Sequence, residues 1–487
     1  MDKAPHQRPG LESSLYQPLS DGDVEQIAES AFKVLEESGM AVYSPTAFQA
    51  LEEAGAETDP ENNIVKMPRS MVEDAIASNP SSITLASRDE DGEYDAVLED
   101  GKVHYGTGGT AIYVIDPDTG ERRESTTEDV ILNARMVDRL ENVHVLTLNV
   151  FPNDIENKAE IDVNRFFHGL DNTTRHVMGG PYSLEGCQRA VKLARMVAGG
   201  EEELREHPFV SFITLIISPF KIDKDHGEIT CYVADQGLPV VVPTEPMCGT
   251  TSPVTLAGNV LTHIAETLGG ITLVQAINEG APGICGNVGS ISDLNTMNNL
   301  GGPVERGMIS AAVAQMAQHF ELPIYSTAGT SDAKEMDVQA AYESAMNGLI
   351  TAMSGANYIH DIAGLMETDL TVSYEKLVVD NEILGMTQRV LRGIEVNDET
   401  LGTDMLIDKG PGEDYLAEQH TVKHMRSEFF MPKLSNRKKR EQYSPDDSAL
   451  ARARKFVQKV RDSEPESKLD PDTRDSILDT FGEIKQA

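Results

Sequence analysis

The 487 residues carry 80 acidic against 41 basic side chains, a formal net charge of −39, with 39% hydrophobic residues and no Trp. So acidic a surface repels nucleic acid and anionic membranes and excludes both as partners. The acids are spread along the chain, a pattern that suits a salt-loaded, halophilic cytoplasm, where salt screens the self-repulsion.

The start, MDKAPHQRPG, lacks an apolar h-region and predicts no signal peptide. The apolar run from Phe209 to Phe220 is too short to span a membrane. A cytoplasmic protein is expected. Cys187, Cys231, Cys248 and Cys285 lie far apart with no CxxC pair, which predicts reduced core thiols and no zinc or other metal site.

Residues 1–101 read as a mixed N-terminal extension. A helix is predicted over VEQIAESAFKVLEESG, closed by Gly39, and a second from Arg69 to Ala77. SSITLAS and YDAVLED read as short extended pieces.

From Lys102 the pattern becomes eight β-then-α units. Strands are predicted at 103–108, 144–150, 176–180, 209–217, 239–244, 283–289, 323–329 and 358–364. Helices follow at 126–140, 157–170, 183–197, 223–236, 254–277, 302–319, 337–354 and 373–393. The strands are apolar and β-branched, as parallel strands buried on both faces must be. Eight such units predict an α/β fold, a (β/α)8 TIM barrel over 102–400.

Residues 401–487 read as a helical C-terminal extension. A Gly/Asp-rich segment, LGTDMLIDKGPGEDYL, leads to a short helix, a basic cluster from Asn436 to Arg440 and two further helices. The cluster is read first as a salt-bridge partner for neighbouring acids, and alternatively as a docking point.

In such a barrel the chemistry lies at the C-terminal ends of the strands, where this chain gathers small and polar residues. GTGGTA (106–111) fits GxGxxA, but IYVIDPDTG follows it where a dinucleotide fold needs a helix. P-loop, HExxH and GxSxG motifs are absent, so the familiar kinase, zinc-hydrolase and serine-hydrolase chemistries have no foothold.

The run YSTAGTSDAKEMDVQAAYESAMNGLITAMSGANYIHDIAGLMETDLTVSYEKLVVDNEILG (325–385) resembles the trimethylamine methyltransferase family. So do IDPDTGERRESTTEDV (115–130) and GICGNVGSI (283–291), and the likeness extends from the first helix to Gly412. The resemblance implies methyl transfer from a methylated amine to the cobalt of a separate corrinoid protein, in a homo-oligomer. No DxHxxG cobalamin motif surrounds any of the 12 histidines, which fits a corrinoid presented by a partner and no tightly bound cofactor.

The best-known members carry pyrrolysine, and none is written in this chain; its place would fall in the Thr330–Lys334 neighbourhood. Without it, a quaternary ammonium such as glycine betaine is the better substrate, because it expels a neutral amine. Carboxylates and aromatic faces would hold the cation. Glu245, Asp332 and Lys334 are the catalytic candidates. Tyr105, Asn149, Phe151, Asn287, Tyr325, Thr330, His360, Asp361 and Glu367 are the substrate-binding candidates. Two rivals are a betaine-binding barrel without catalysis and a lyase using Lys334 as a Schiff base. The second is disfavoured because Asp332, Glu335 and Asp337 would keep that amine charged.

Overall fold

The computed structural model describes residues 10–99 and 101–486. The opening residues 1–9, on which the expectation about a signal peptide rests, lie outside them.

Eight parallel strands form the core: β1 (Lys102–Tyr105), β2 (Val145–Thr147), β3 (His176–Gly179), β4 (Val210–Ile213), β5 (Val240–Thr244), β6 (Gly283–Asn287), β7 (Ile324–Thr327) and β8 (Tyr358–His360). Each pairs with its chain neighbour, and β8 returns to β1. The ring closes between β1 and β2 through a parallel bridge of Gly106 to Val145, with the His144 N–H donating to the Tyr105 carbonyl at 2.7 Å. Every predicted barrel strand is present, and the fold is the predicted TIM barrel.

The helices that follow are α1 (Thr127–Arg139), α2 (Lys158–Asn172), α3 (Leu184–Ala198), α4 (Lys224–Asp235), α5 (Leu256–Ile277), α6 (Val304–His319), α7 (Val338–Met353) and α8 (Tyr374–Leu391). Side chains of Ser183, Asp223, Thr255, Asp337 and Ser373 cap five of them by accepting backbone N–H bonds, which is why each starts where its strand-end loop stops. Among the described residues, α5 has the length and apolarity to cross a membrane. It serves as a core helix instead, 83% buried over its apolar stretch, where the sequence predicts the fifth barrel helix at 254–277.

Alternation along the strands divides their side chains between two layers. Val145, Met178, Val241, Ile284, Tyr325 and Tyr358 fill the barrel interior, joined by Ile83, Leu85, Ala96 and Leu98. Those four come from an antiparallel hairpin, Ile83–Leu85 with Ala96–Leu98, which plugs the N-terminal end of the barrel. The Ala86 N–H donates to the Pro208 carbonyl just before β4, and Asn79 donates to the Gly283 carbonyl at the start of β6. The hairpin corresponds to the two extended pieces read from sequence.

The predicted helices at the N-terminal side appear as Asp21–Glu37 and Arg69–Ser78, both packed on α5. A third, Pro45–Glu53, was not anticipated; Ser44 caps it and Pro45 opens it. At the opposite end, Tyr113–Ile115, Arg122–Glu124, Leu365–Met366 and Thr371–Val372 join the loops after β1 and β8 into one four-stranded sheet. The Gly/Asp-rich segment after α8 holds the short helix Thr403–Lys409, and another, Asp398–Leu401, runs up to it.

Candidate active site

At the C-terminal ends of β5 to β8, one buried cation meets three carboxylates. Arg306, in the first turn of α6, is 2% exposed. Its Nη2 lies 3.6 Å from Asp361 Oδ2 and 3.4 Å from Asp369 Oδ2, and its Nε donates to the Gly289 carbonyl. Glu245, just past β5, lies within electrostatic reach of the same guanidinium.

The groups shift one another. Burial opposes the charge on Arg306, but Asp369, Asp361 and Glu245 outweigh it and raise its pKa. Burial pushes Glu245 up to about 7, helped by Asp369 and opposed by Arg306. Burial also raises Asp369 above the carboxylate range. Asp361 goes the other way: burial works against its charge, yet His360, Arg306 and the Thr327 hydroxyl, which donates at 2.7 Å, hold it below that range. The site therefore keeps one firmly ionised carboxylate and two that a further cation would help to ionise.

Beside this cluster the rings of Tyr325 and His360 stack, with centroids 3.7 Å apart. His360 Nδ1 lies 2.9 Å from Asp361 Oδ1, and its buried Nε2 has no partner among the described residues. Asp361 has φ +60, and the chain from Glu367 to Asp369 is also left-handed. Such strain in non-glycine residues gathers at functional sites. Gly108 makes room for it: a Cβ there would meet Asp361 Oδ1 at 2.3 Å.

The loops are anchored from behind. Lys376, fully buried on α8, donates to the Gly329 carbonyl, the Ser344 hydroxyl and Asp380 Oδ2. Asp380 Oδ2 also accepts the Gly364 N–H at 2.8 Å. This ion pair ties the loop after β7 to the loop after β8.

Of the residues expected at the site, Glu245, Tyr325, His360 and Asp361 come together, with Thr330 buried beside Asp369. Asp332 and Glu367 lie on the adjoining loops with their carboxylates engaged. Asp332 accepts from the Gly301 and Gly302 N–H groups and the Thr368 hydroxyl; Glu367 pairs with Arg122 at 2.6 Å. Lys334 is exposed, its ammonium donating to the Asp332 carbonyl. Phe151 stands edge-on to Tyr182, with centroids 5.3 Å apart.

Three others point elsewhere. Tyr105 is buried in the outer layer against His144. Asn287 joins β6 to α6 and β7 through Ser310 and Ser326. Asn149 donates to Asn133 on α1. Arg306 and Asp369 were not anticipated. Strand parity could have separated Tyr105 and Asn287 from the inward set, but no local pattern marks Arg306.

The family described as trimethylamine methyltransferase (MTTB) matches residues 2–486. A trimethylamine methyltransferase of Desulfitobacterium hafniense is 36% identical over 91% of this chain and 87% of its own length. One from Methanosarcina mazei is 34% identical over 82% of this chain and 81% of its own. A glycine betaine methyltransferase, also from Desulfitobacterium hafniense, is 29% identical over 87% of each. Among solved structures, the monomethylamine methyltransferase of Methanosarcina barkeri aligns over 97% of this chain and 89% of its own, with TM-score 0.51 and 14% identity, which speaks to the fold alone.

Proposed function

The chain belongs to the trimethylamine methyltransferase family, and from that premise we propose that it moves a methyl group from a quaternary amine of the glycine betaine type to a separate corrinoid protein. It is a methyltransferase of methylated amines. The observation that carries the finer reading is the excess of carboxylates over cations at the barrel mouth: Glu245, Asp361 and Asp369 against Arg306.

A quaternary ammonium has no N–H to donate, so charge and aromatic faces must hold it. Asp361, held ionised, supplies the fixed negative charge. Glu245 ionises as the cation arrives, because a positive neighbour offsets the cost of its burial. The Tyr325–His360 stack offers an aromatic wall to the methyl groups. The carboxylate of a betaine would be met by the guanidinium of Arg306. Arg306 also keeps the three carboxylates from repelling one another before substrate enters.

The hard oxygen donors of the mouth, interleaved with a guanidinium, fit an organic cation better than a cobalt ligand set. A corrinoid carried by a partner protein would supply the nucleophilic methyl acceptor. The residues of this chain orient one N-methyl group outward, exclude water from the ammonium and release a neutral tertiary amine. No proton need move, so no general acid or base is required.

The test is methyl transfer to a reduced corrinoid protein, followed by absorbance, with trimethylamine, glycine betaine, carnitine and proline betaine compared across low and high salt. Transfer from a quaternary amine alone supports the reading, and high-salt dependence supports a halophilic setting. Transfer from trimethylamine overturns the leaving-group argument.

A further inference from the structure

Helix α5 is apolar along most of its length, but one of its faces is not. Asn259, His263 and Thr267 stand at every fourth position and all are buried. Each meets β5 or the residues just past it. The Asn259 amide donates to the Pro246 carbonyl at 2.8 Å, His263 Nδ1 lies 2.7 Å from the Thr244 hydroxyl, and the Thr267 hydroxyl donates to the Val242 carbonyl at 3.3 Å. Four residues of helix rise about 6 Å and two of strand about 6.6 Å, so the contacts run in step like rungs.

The rungs decide a direction. Val242, Thr244 and Pro246 alternate with Val241, Pro243 and Glu245. Holding alternate residues of an extended chain to one side sends those between to the other. Val242 packs in the outer layer and Val241 in the barrel interior, and the same alternation carries Glu245 inward. Strand pairing stops at Thr244, and Pro246 has no N–H to continue it. Glu245 is therefore held by the rungs on either side of it, at Thr244 and Pro246.

His263 is the rung that an apolar side chain could not supply. Burial holds its pKa down at about 3, so the ring is neutral and carries one N–H. The Thr244 hydroxyl also serves Glu266, whose carboxylate accepts from the Ser218 hydroxyl and the Phe220 N–H at 2.7 Å each. Donating to Glu266, that hydroxyl accepts from His263 Nδ1–H. Nε2 is then a bare acceptor, and it has no partner among the described residues. It faces Gly289, where a Cβ would meet it at 2.1 Å, and the Gly289 carbonyl accepts from Arg306 Nε at 3.2 Å. One imidazole thus backs two walls of the mouth: the strand end that carries Glu245 and the loop that holds Arg306.

We propose that His263 is a positioning residue for the substrate ammonium: with Asn259 it pins Thr244 and Pro246 to α5 and so keeps Glu245 turned into the barrel mouth. The part given to Glu245 rests on the quaternary-amine reading above; its orientation does not.

Two substitutions test this. His263→Asn keeps an amide donor where Nδ1 stands, and His263→Leu does not. Crystal structures should show the Glu245 carboxyl displaced from Arg306 in the Leu variant and in place in the Asn variant. Thr244→Val removes the same contact without changing shape and should repeat the Leu result, even if His263→Leu fails to fold. By calorimetry at pH 8, tetramethylammonium should bind His263→Leu about tenfold more weakly than wild type and bind His263→Asn nearly as tightly. In a Glu245→Gln background His263→Leu should add nothing, because a residue acting through Glu245 has nothing left to position. An additive loss in that double variant overturns the proposal, as does Glu245 standing unmoved in both the Leu and Val variants. A wild-type chain that binds no tetramethylammonium counts against the quaternary-amine reading alone, and the crystal structures then decide whether His263 places Glu245.

Discussion

Tyr325 and His360 lie with their ring centroids 3.7 Å apart and their planes 12° from parallel, one from each of the last two barrel strands. The pair is inward-facing on both strands, and His360 carries it directly to Asp361. Aromatic wall and fixed negative charge are thus parts of one rigid unit.

Arg306→Met should be the most damaging single change at the site. It leaves Asp361 and Asp369 without their cation, and removing one member of a buried pair costs about 3–5 kcal/mol. Urea unfolding should show that loss, and methyl transfer should fall by about a hundredfold as the carboxylates protonate or repel. A variant with wild-type stability and activity would remove Arg306 from the site.

Glu245 should make binding and stability pH-dependent in opposite directions. Its pKa is raised to about 7, so the folded state binds the proton more tightly than the unfolded one. This group's contribution to stability is therefore favourable at low pH and is lost as pH rises from the unfolded carboxylate range through about 7. Glu266 and Asp162, also near 7, add to the same fall, so Glu245 is isolated by comparison with Glu245→Gln. The affinity for a quaternary ammonium should rise through the same window. In Glu245→Gln it should lose that rise and weaken by about tenfold at pH 8, measured by calorimetry.

Gly108→Ala tests whether the strained Asp361 backbone matters. The added methyl would meet Asp361 Oδ1 at 2.3 Å and its amide nitrogen at 2.4 Å. Overpacking of this kind costs about 1–3 kcal/mol, and the substrate KM should rise as Asp361 is displaced. Unchanged kinetics would mean the loop moves without consequence.

Lys376→Met should destabilise the fold by about 3–5 kcal/mol, because Asp380 would be left buried without its cation. Adding Asp380→Asn should recover part of that loss. If the double variant is less stable than the single one, the pair is not the coupled unit its geometry indicates.

Lys334→Ala should change stability by no more than about 0.5 kcal/mol, since the side chain is exposed. Methyl transfer should be unaffected, and borohydride should trap no adduct with carbonyl compounds.

Much of the fold was legible because the barrel strands advertise themselves. Val240 to Thr244 and Val210 to Ile213 are short apolar runs bounded by turn residues, and capping side chains mark the helix starts between them. The helix Pro45–Glu53 escaped because nine residues give too few turns for a clear periodicity. The site was legible only in part, since the barrel rule locates strand ends but not which way a side chain faces. Tyr105 and Asn287 fell one position out of phase with the interior. Arg306 reads locally as an ordinary charge near a helix start, and only the closure of the ring brings it to Asp361.

Because the hairpin fills the lower end of the barrel, amine and methyl acceptor would share the approach from the strand-end face. If the acceptor arrives as a whole protein, it becomes the stopper. The amine must then enter before the carrier arrives, and the demethylated product stays trapped until the carrier leaves. Turnover would follow a compulsory order, with excess carrier inhibiting by sealing empty barrels.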